Sequence, residues 1–247
     1  MLDLMQPGFK TYNTTIAGEK RTFSVDIPVG FNPETGKAMF FFKGKGGASA
    51  DKLVKLFSAA LKTNNCIGIY PNAVKRGTTP AQWEVNGENA NKDSMFFEYI
   101  VVQLPDDMSV FLSGVSNGGC FSLMLTCMGA GVATCTFAAS LWKGINVKYP
   151  SNVYAIHGKL DTSVPYQGGE AHGLYLLPAE ESIQLFVPEV HRTVCTKPMP
   201  GAAKLTTYEA FNISQLLSVE NSGHDVMTSY KGINLINSMF EFFTKFV

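Results

Sequence analysis

Met108-Ser-Val-Phe-Leu-Ser-Gly-Val-Ser-Asn-Gly-Gly-Cys-Phe-Ser-Leu-Met-Leu125 joins two patterns that meet at one serine. Val110, Phe111 and Leu112 form a compact apolar run after the turn-like Pro105-Asp106-Asp107, as expected of a strand buried on both faces of a parallel sheet. Phe121, Leu125 and Met128 then repeat at helical spacing. Between them Gly114-Val-Ser116-Asn-Gly118 has the G-x-S-x-G form of a nucleophile elbow, a sharp strand-to-helix turn with small flanking residues that leaves Ser116 alone above a sheet edge.

Two later segments supply what such a serine needs. In an α/β-hydrolase the acid and the histidine follow the serine in that order, each on a loop after a strand. Asn152 to Ile156 reads as a strand that runs into His157-Gly-Lys-Leu-Asp161, which makes Asp161 the acid candidate. Leu216 to Val219 reads as the next strand; Glu220-Asn-Ser-Gly223-His224-Asp225 follows, and Gly223 allows a tight turn that brings His224 back toward the sheet edge as the base. A serine hydroxyl is a poor nucleophile until a neutral imidazole takes its proton, and a buried carboxylate must hold that imidazole in the right tautomer. Asp225 and Glu220 could replace Asp161, but a residue adjacent to His224 in sequence rarely points at its ring. Of the other three histidines, His157 is expected to pack or hydrogen-bond so as to hold the acid loop, and His172 and His191 are read as structural.

Gly114 to Gly119, His157-Gly-Lys-Leu-Asp-Thr-Ser-Val-Pro-Tyr166 and Ser222-Gly-His224 together resemble the polyhydroxybutyrate depolymerase and feruloyl esterase group. A Trp83 loop, the Asp93-to-Val102 helix and Cys195 also fall where that group tends to have such residues. The resemblance covers Ala38 to Asp225. It implies an α/β-hydrolase fold and a serine carboxylic ester hydrolase with Ser116, Asp161 and His224 as its triad, acting on a small-molecule or polymeric ester with no metal and no organic cofactor.

One stretch departs from that pattern. The family strand usually ends in His-Gly, whereas Ala38 to Phe42 is followed by Lys43-Gly-Lys45-Gly-Gly47. An oxyanion hole is built from backbone N–H groups, so the side chain can change if the backbone path is kept. The amides of Lys45 and Asn117 are the expected donors. The departure also motivates an alternative, a non-catalytic binding module that kept the fold. A phosphate loop fails on spacing: G-x-G-x-x-G would need Gly at Ser49, and the Walker pattern would need Gly at Met39 and a hydroxyl residue at Gly46. The two lysines read as solvated in preference to attracting an acidic substrate.

The remaining features fit one enzyme domain spanning 1–247. Hydrophobic residues make up 45% of the chain and charged residues 16%, with zero net charge. Lys and Arg are scattered rather than clustered, which argues against nucleic acid. No apolar run reaches membrane-spanning length, and the first residues lack the features of a signal peptide, so no membrane partner and a cytoplasmic location are expected. The five cysteines show no C-x-x-C pairing and suit reduced thiols.

Strands are expected near Arg21 to Ile27, Ala38 to Phe42, Cys66 to Tyr70, Ser109 to Ser113, Cys135 to Ser140, Val153 to Ile156, Thr206 to Phe211 and Leu216 to Val219. Helices are expected over Ala50 to Thr63, Ser94 to Gln103, Asn117 to Met128, Ser182 to Val190 and Tyr230 to Phe246, giving a mostly parallel sheet covered on both faces. Loops Pro71 to Lys92 and Gln167 to Glu181 would shape the pocket. Trp83 is a candidate to stack on a sugar or aromatic acyl group, with anchoring of its own loop the favoured role. Leu174 to Leu177 fit either a lid or acyl pocket or ordinary packing.

Overall fold

The computed structural model describes residues 2–4, 6–46, 50–224 and 228–247, with 50 and 51 by backbone alone. Gly47, Ser49 and Asp225, all named above, lie outside the described residues. The chain opens with β1 (Gly8–Ile16), β2 (Glu19–Ile27) and β3 (Lys37–Phe42), then α1 (Ala50–Thr63), β4 (Cys66–Pro71) and α2 (Gly87–Val101). β5 (Ser109–Val115), α3 (Asn117–Cys127), β6 (Ala133–Phe137) and β7 (Asn152–Gly158) form the middle. A small hairpin, β8 (Gly169–Ala171) and β9 (Leu174–Leu176), leads to α4 (Ala179–Gln184). Then come β10 (Thr193–Met199), β11 (Ala203–Glu209) and β12 (Ile213–Val219), a second hairpin of β13 (Ser229–Tyr230) and β14 (Ile233–Asn234), and α5 (Leu235–Phe243).

Ten strands form one sheet in the order β1-β2-β4-β3-β5-β6-β7-β12-β11-β10. The run from β4 to β12 is parallel throughout, and antiparallel strands flank it on both sides. The parallel centre follows from sequence: β3, β4, β6 and β7 are buried along nearly their whole length, as strands covered on both faces must be. Alternate residues feed two cores. Phe40 and Phe42 pack with α2, α3 and α4, while Met39 and Phe41 pack with α1 and α5. α3 lies against β5, β6 and β3, and every residue from Gly118 to Cys127 is buried, so it has no solvent stripe.

β1 and β10 were not expected, and the reason is physical. Both are edge strands whose residues are mostly exposed, so neither carries the apolar run that marks an interior strand. The helix expected from Tyr230 begins only at Leu235, because Lys231 and Gly232 take φ values of 45° and 86° and turn the preceding residues into a hairpin. Asn234 then caps the helix by accepting the Asn237 N–H at 3.0 Å. α2 begins seven residues before the expected Ser94, since its first turns are polar. α4 covers Ala179–Gln184 rather than reaching Val190. The strand expected to reach Ser140 stops at Phe137, where Ala138 adopts a φ of 48°. Cys66, Cys120, Cys127 and Cys135 are buried free thiols, and Cys195 is exposed on β10.

Burial also leaves one carboxylate poorly served. Asp26 is 8% exposed, and among the described residues neither its Oδ2 nor the buried Tyr70 hydroxyl has a hydrogen-bond partner. Desolvation therefore raises the Asp26 pKa above its ordinary 3.8. A raised folded-state value means that the neutral acid suits the fold; the contribution is full below pH 3.8 and lost as pH rises through the raised value. Asp26→Asn, which keeps the shape without the charge, is expected to raise Tm near pH 7, with the gain shrinking toward pH 4 in thermal melts.

Candidate active site

Ser116 sits between β5 and α3 with φ 54° and ψ −128°, a backbone conformation that non-glycine residues adopt only when the surroundings enforce it. Its N–H donates to the Phe137 carbonyl at 2.9 Å, and its carbonyl accepts the Cys120 N–H at 2.9 Å. The surrounding packing leaves no room for side chains at the flanking glycines. A Cβ on Gly118 would overlap the carbonyl oxygens of Phe42 and Lys43, and one on Gly114 would lie 2.8 Å from Phe42 O. The helix thus starts in direct contact with the end of β3, and Gly44 comes so close that its own Cβ would be 3.2 Å from Ser116 Cβ.

Asp161 and His224 reach Ser116 from two loops that lean on each other. Leu160 N–H donates to Ser222 O at 2.9 Å, and Gly158 must lack a side chain because a Cβ there would run into the carbonyls of Ser222 and Gly223. His224 Nδ1 lies 2.8 Å from Asp161 Oδ2, and Nε2 lies 2.8 Å from Ser116 Oγ. An ionised carboxylate only accepts, so Nδ1 carries the proton and donates; Nε2 is then the lone-pair nitrogen, and Ser116 Oγ–H donates to it. Glu220, the alternative carboxylate, instead pairs with Lys159 at 2.7 Å.

Asp161 is 4% exposed yet well satisfied. Its Oδ1 accepts the N–H groups of Ser163 at 2.9 Å and Val164 at 2.8 Å. His157 Nε2 faces the Val164 carbonyl at 2.8 Å and Asp161 Oδ2 at 3.3 Å; both only accept, so this nitrogen is the donor. Burial alone would raise the Asp161 pKa, but hydrogen bonds from His157, His224 and Val164 outweigh it and hold the carboxyl well below the usual range.

The three side chains line a cavity of about 680 Å³. Leu53, Pro80, Val115, Val164, Leu174 and Leu176 give it apolar walls, and Lys43, Lys45, Gln82, Glu84 and Asn86 add polar groups. Lys45 and Asn117 border it beside Ser116, and Asn117 opens α3, where first-turn N–H groups lack intrahelical acceptors. Cys120 also borders the cavity, but burial pushes its thiol up to about 11, which leaves it protonated and unreactive. Lys43 points its ammonium at Asn72 Oδ1, 2.5 Å away, and burial lowers its pKa.

Trp83, the substrate-stacking candidate, is held mainly by the protein. It is 1% exposed, its ring stacks on Phe121 at 4.8 Å and meets Phe42 edge-on at 5.2 Å, and its Nε1–H donates to Lys43 O at 3.1 Å. These contacts anchor the loop that carries Trp83, which also lines the cavity. His172, read as structural, borders the cavity at the tip of the β8–β9 hairpin and faces Ser163 O from Nε2 at 3.1 Å. The signal for this hairpin was His172-Gly173, with φ values of 54° and 77°, a two-residue turn between the short strands β8 and β9. Among the described residues, no cluster of His, Cys, Asp and Glu could hold a metal ion, and no helix is long and apolar enough to cross a membrane.

Solved structures match over nearly the full length of the chain. The fold is that of the α/β-hydrolases. Acetyl xylan esterase from Aspergillus awamori matches with a TM-score of 0.62 at 14% identity, covering 94% of this chain and 99% of its own. Est1E from Butyrivibrio proteoclasticus matches at 0.60 and 13% identity, over 95% of this chain and 98% of that one. XC6422 from Xanthomonas campestris, described as an α/β serine hydrolase without lid, matches at 0.60 and 15%, over 97% and 95%. No protein-family model and no curated protein matches by sequence.

The elbow's packing has a direct consequence. Gly118→Ala must push α3 away from β3, and overpacking of this kind costs about 1–3 kcal/mol. Urea denaturation should show that loss, with the midpoint lowered and the m-value unchanged.

Proposed function

We propose that this protein is a serine carboxylic ester hydrolase acting through an acyl-enzyme. The observation that carries the reading is the continuous line from Asp161 Oδ2 through His224 to Ser116 Oγ, with 2.8 Å at each step and a tautomer fixed by the carboxylate. Ser116 Oγ attacks the ester carbonyl carbon as its proton passes to His224 Nε2, and Asp161 stabilises the imidazolium so formed. The carbonyl oxygen becomes an oxyanion, for which the amides of Asn117 and Lys45 are the proposed donors. Collapse breaks the bond to the alcohol, which leaves with the proton from Nε2. Water then attacks the acyl-enzyme by the same route, returning Ser116 and releasing the acid.

The proposed substrates are short-chain, polyester or carbohydrate-linked esters. The cavity volume falls within the range of small-molecule sites and exceeds what an acetyl group needs. Its apolar walls suit the organic part of an ester. Support for the carbohydrate-linked branch comes from the neighbours: one is an acetyl xylan esterase, and Est1E has been captured with ferulic acid bound. Against the binding-module alternative stands the aligned Ser116, His224 and Asp161 constellation, which a chain freed from catalysis has no physical need to keep.

The test is hydrolysis of chromogenic esters from acetyl to octanoyl, with a feruloyl ester beside them, and labelling by a fluorophosphonate. Wild type is expected to turn over and to be labelled; Ser116→Ala should do neither. Asp161→Asn should keep the fold and lower kcat by about 10⁴-fold, as loss of the orienting carboxylate does in other serine hydrolases. A folded wild type that neither hydrolyses any ester nor reacts with the probe would sink the proposal.

A further inference from the structure

The amide that would serve as the second oxyanion donor belongs to Lys45, in a loop with no regular structure, so something outside the strand must fix its position. Two hydrogen bonds from one segment, residues 72–86, do so. The Ala81 carbonyl accepts the Gly46 N–H at 3.0 Å, just after Lys45. Trp83 Nε1–H donates to the Lys43 carbonyl at 3.1 Å, two residues before it. On the other side of Ser116, the Asn117 side chain clasps the Trp83 backbone in both directions: Oδ1 accepts the Trp83 N–H at 2.8 Å, and Nδ2 donates to the Trp83 carbonyl at 2.8 Å. One residue, Trp83, thereby ties together the two segments from which the donors would come.

That residue is itself anchored to a buried ionic cluster. Glu84 N–H donates to Asp93 Oδ2 at 2.9 Å. Asp93, fully buried on α2, also accepts from Arg21 Nη2 at 2.5 Å and Arg76 Nη2 at 2.8 Å, and both arginines reach Glu19 at 2.7 Å. Val74 and Gln82 pair across the segment as an isolated bridge, closing it on itself.

Resting on the esterase reading above, we infer that the side chain of Asn117 and the indole of Trp83 are positioning residues that set the spacing between the Asn117 and Lys45 amides and so tune the oxyanion hole. Neither side chain needs to touch the substrate. Their effect is transmitted through the backbone, so it falls on the step in which negative charge develops on the carbonyl oxygen and spares ground-state binding.

The experiment compares wild type, Asn117→Ala, Trp83→Phe and, as a destabilised control from the same core but on α4, Ile183→Val. Trp83→Phe keeps the stacking and loses the bond to Lys43, which guards against a folding failure in Asn117→Ala. Each is assayed for kcat and KM on one ester, for inhibition by a trifluoromethyl ketone that adds to the serine as an oxyanion, for inhibition by the ether isostere of the substrate, and for Tm. The two site variants are expected to lose about tenfold to a hundredfold in kcat and in ketone affinity together. KM and ether affinity should stay within about twofold of wild type. Ile183→Val should lose Tm and keep both activity and ketone affinity. Wild-type kcat and ketone affinity in both site variants would overturn the inference while leaving the esterase reading intact, and so would a parallel loss of ether affinity. A wild type that neither turns over nor reacts with the fluorophosphonate would overturn the reading and the inference together.

Discussion

The site depends on how closely one helix can approach one strand end. α3 begins so near the carbonyls of Phe42 and Lys43 that position 118 has space for a hydrogen atom and nothing larger. That approach forces Ser116 into its strained turn, sets its hydroxyl above the sheet, and brings the loop after β3 alongside it. A looser contact would relax the serine and separate it from Gly44 at the same time. The strain at Ser116 is held by bonds on both sides, from its own N–H to Phe137 and from Cys120 to its carbonyl. It is also held by a helix with no solvent face, which cannot shift without disturbing β3, β5 and β6.

Given that fixed point, hydrogen-bond accounting determines the rest. Asp161 is removed from water but faces four donors: two backbone amides, His157 and His224. A buried carboxylate with so many donors stays ionised, and an ionised carboxylate can only accept. The tautomer of His224 is therefore decided by the acid loop before the serine is considered. His157 completes this arrangement by bonding at once to the carboxylate and to the Val164 carbonyl, so the loop that carries the acid is closed by a side chain from the strand that precedes it.

Parts of this were legible in the sequence for identifiable reasons. The parallel centre was readable because strands covered on both faces are uniformly apolar, and the order of Ser116, Asp161 and His224 was readable because each follows such a strand. β1 and β10 were not, since exposed edge strands carry no apolar signature. The start of α2 was hidden by its polar first turns, and the start of α5 by the Lys231-Gly232 turn. Around the site, the histidine and carboxylate were visible as chemistry, whereas the clasp between Asn117 and Trp83 was not. Its partners lie 34 residues apart, and one of them contributes only backbone atoms, which no side-chain pattern can announce.

The two walls of the cavity are held by different forces, and this bears on how specificity can change. On one side Trp83, Asn117 and the buried ionic cluster form a connected polar lattice, so replacing Asn117 or Asp93 strands a buried donor or acceptor. On the other side the β8–β9 hairpin presents Ala171, Leu174 and Leu176; buried Leu176 seats it in the core, and backbone bonds, Lys143 N–H to Tyr175 O and Leu177 N–H to Leu141 O, both at 2.8 Å, tie it down. Backbone bonds are indifferent to side-chain size. The half-buried Ala171 and Leu174 can therefore be exchanged for other apolar residues while the elbow and its brace keep their spacing, so that under the proposed esterase function one side of the cavity would choose the substrate and the other would hold the geometry for attack.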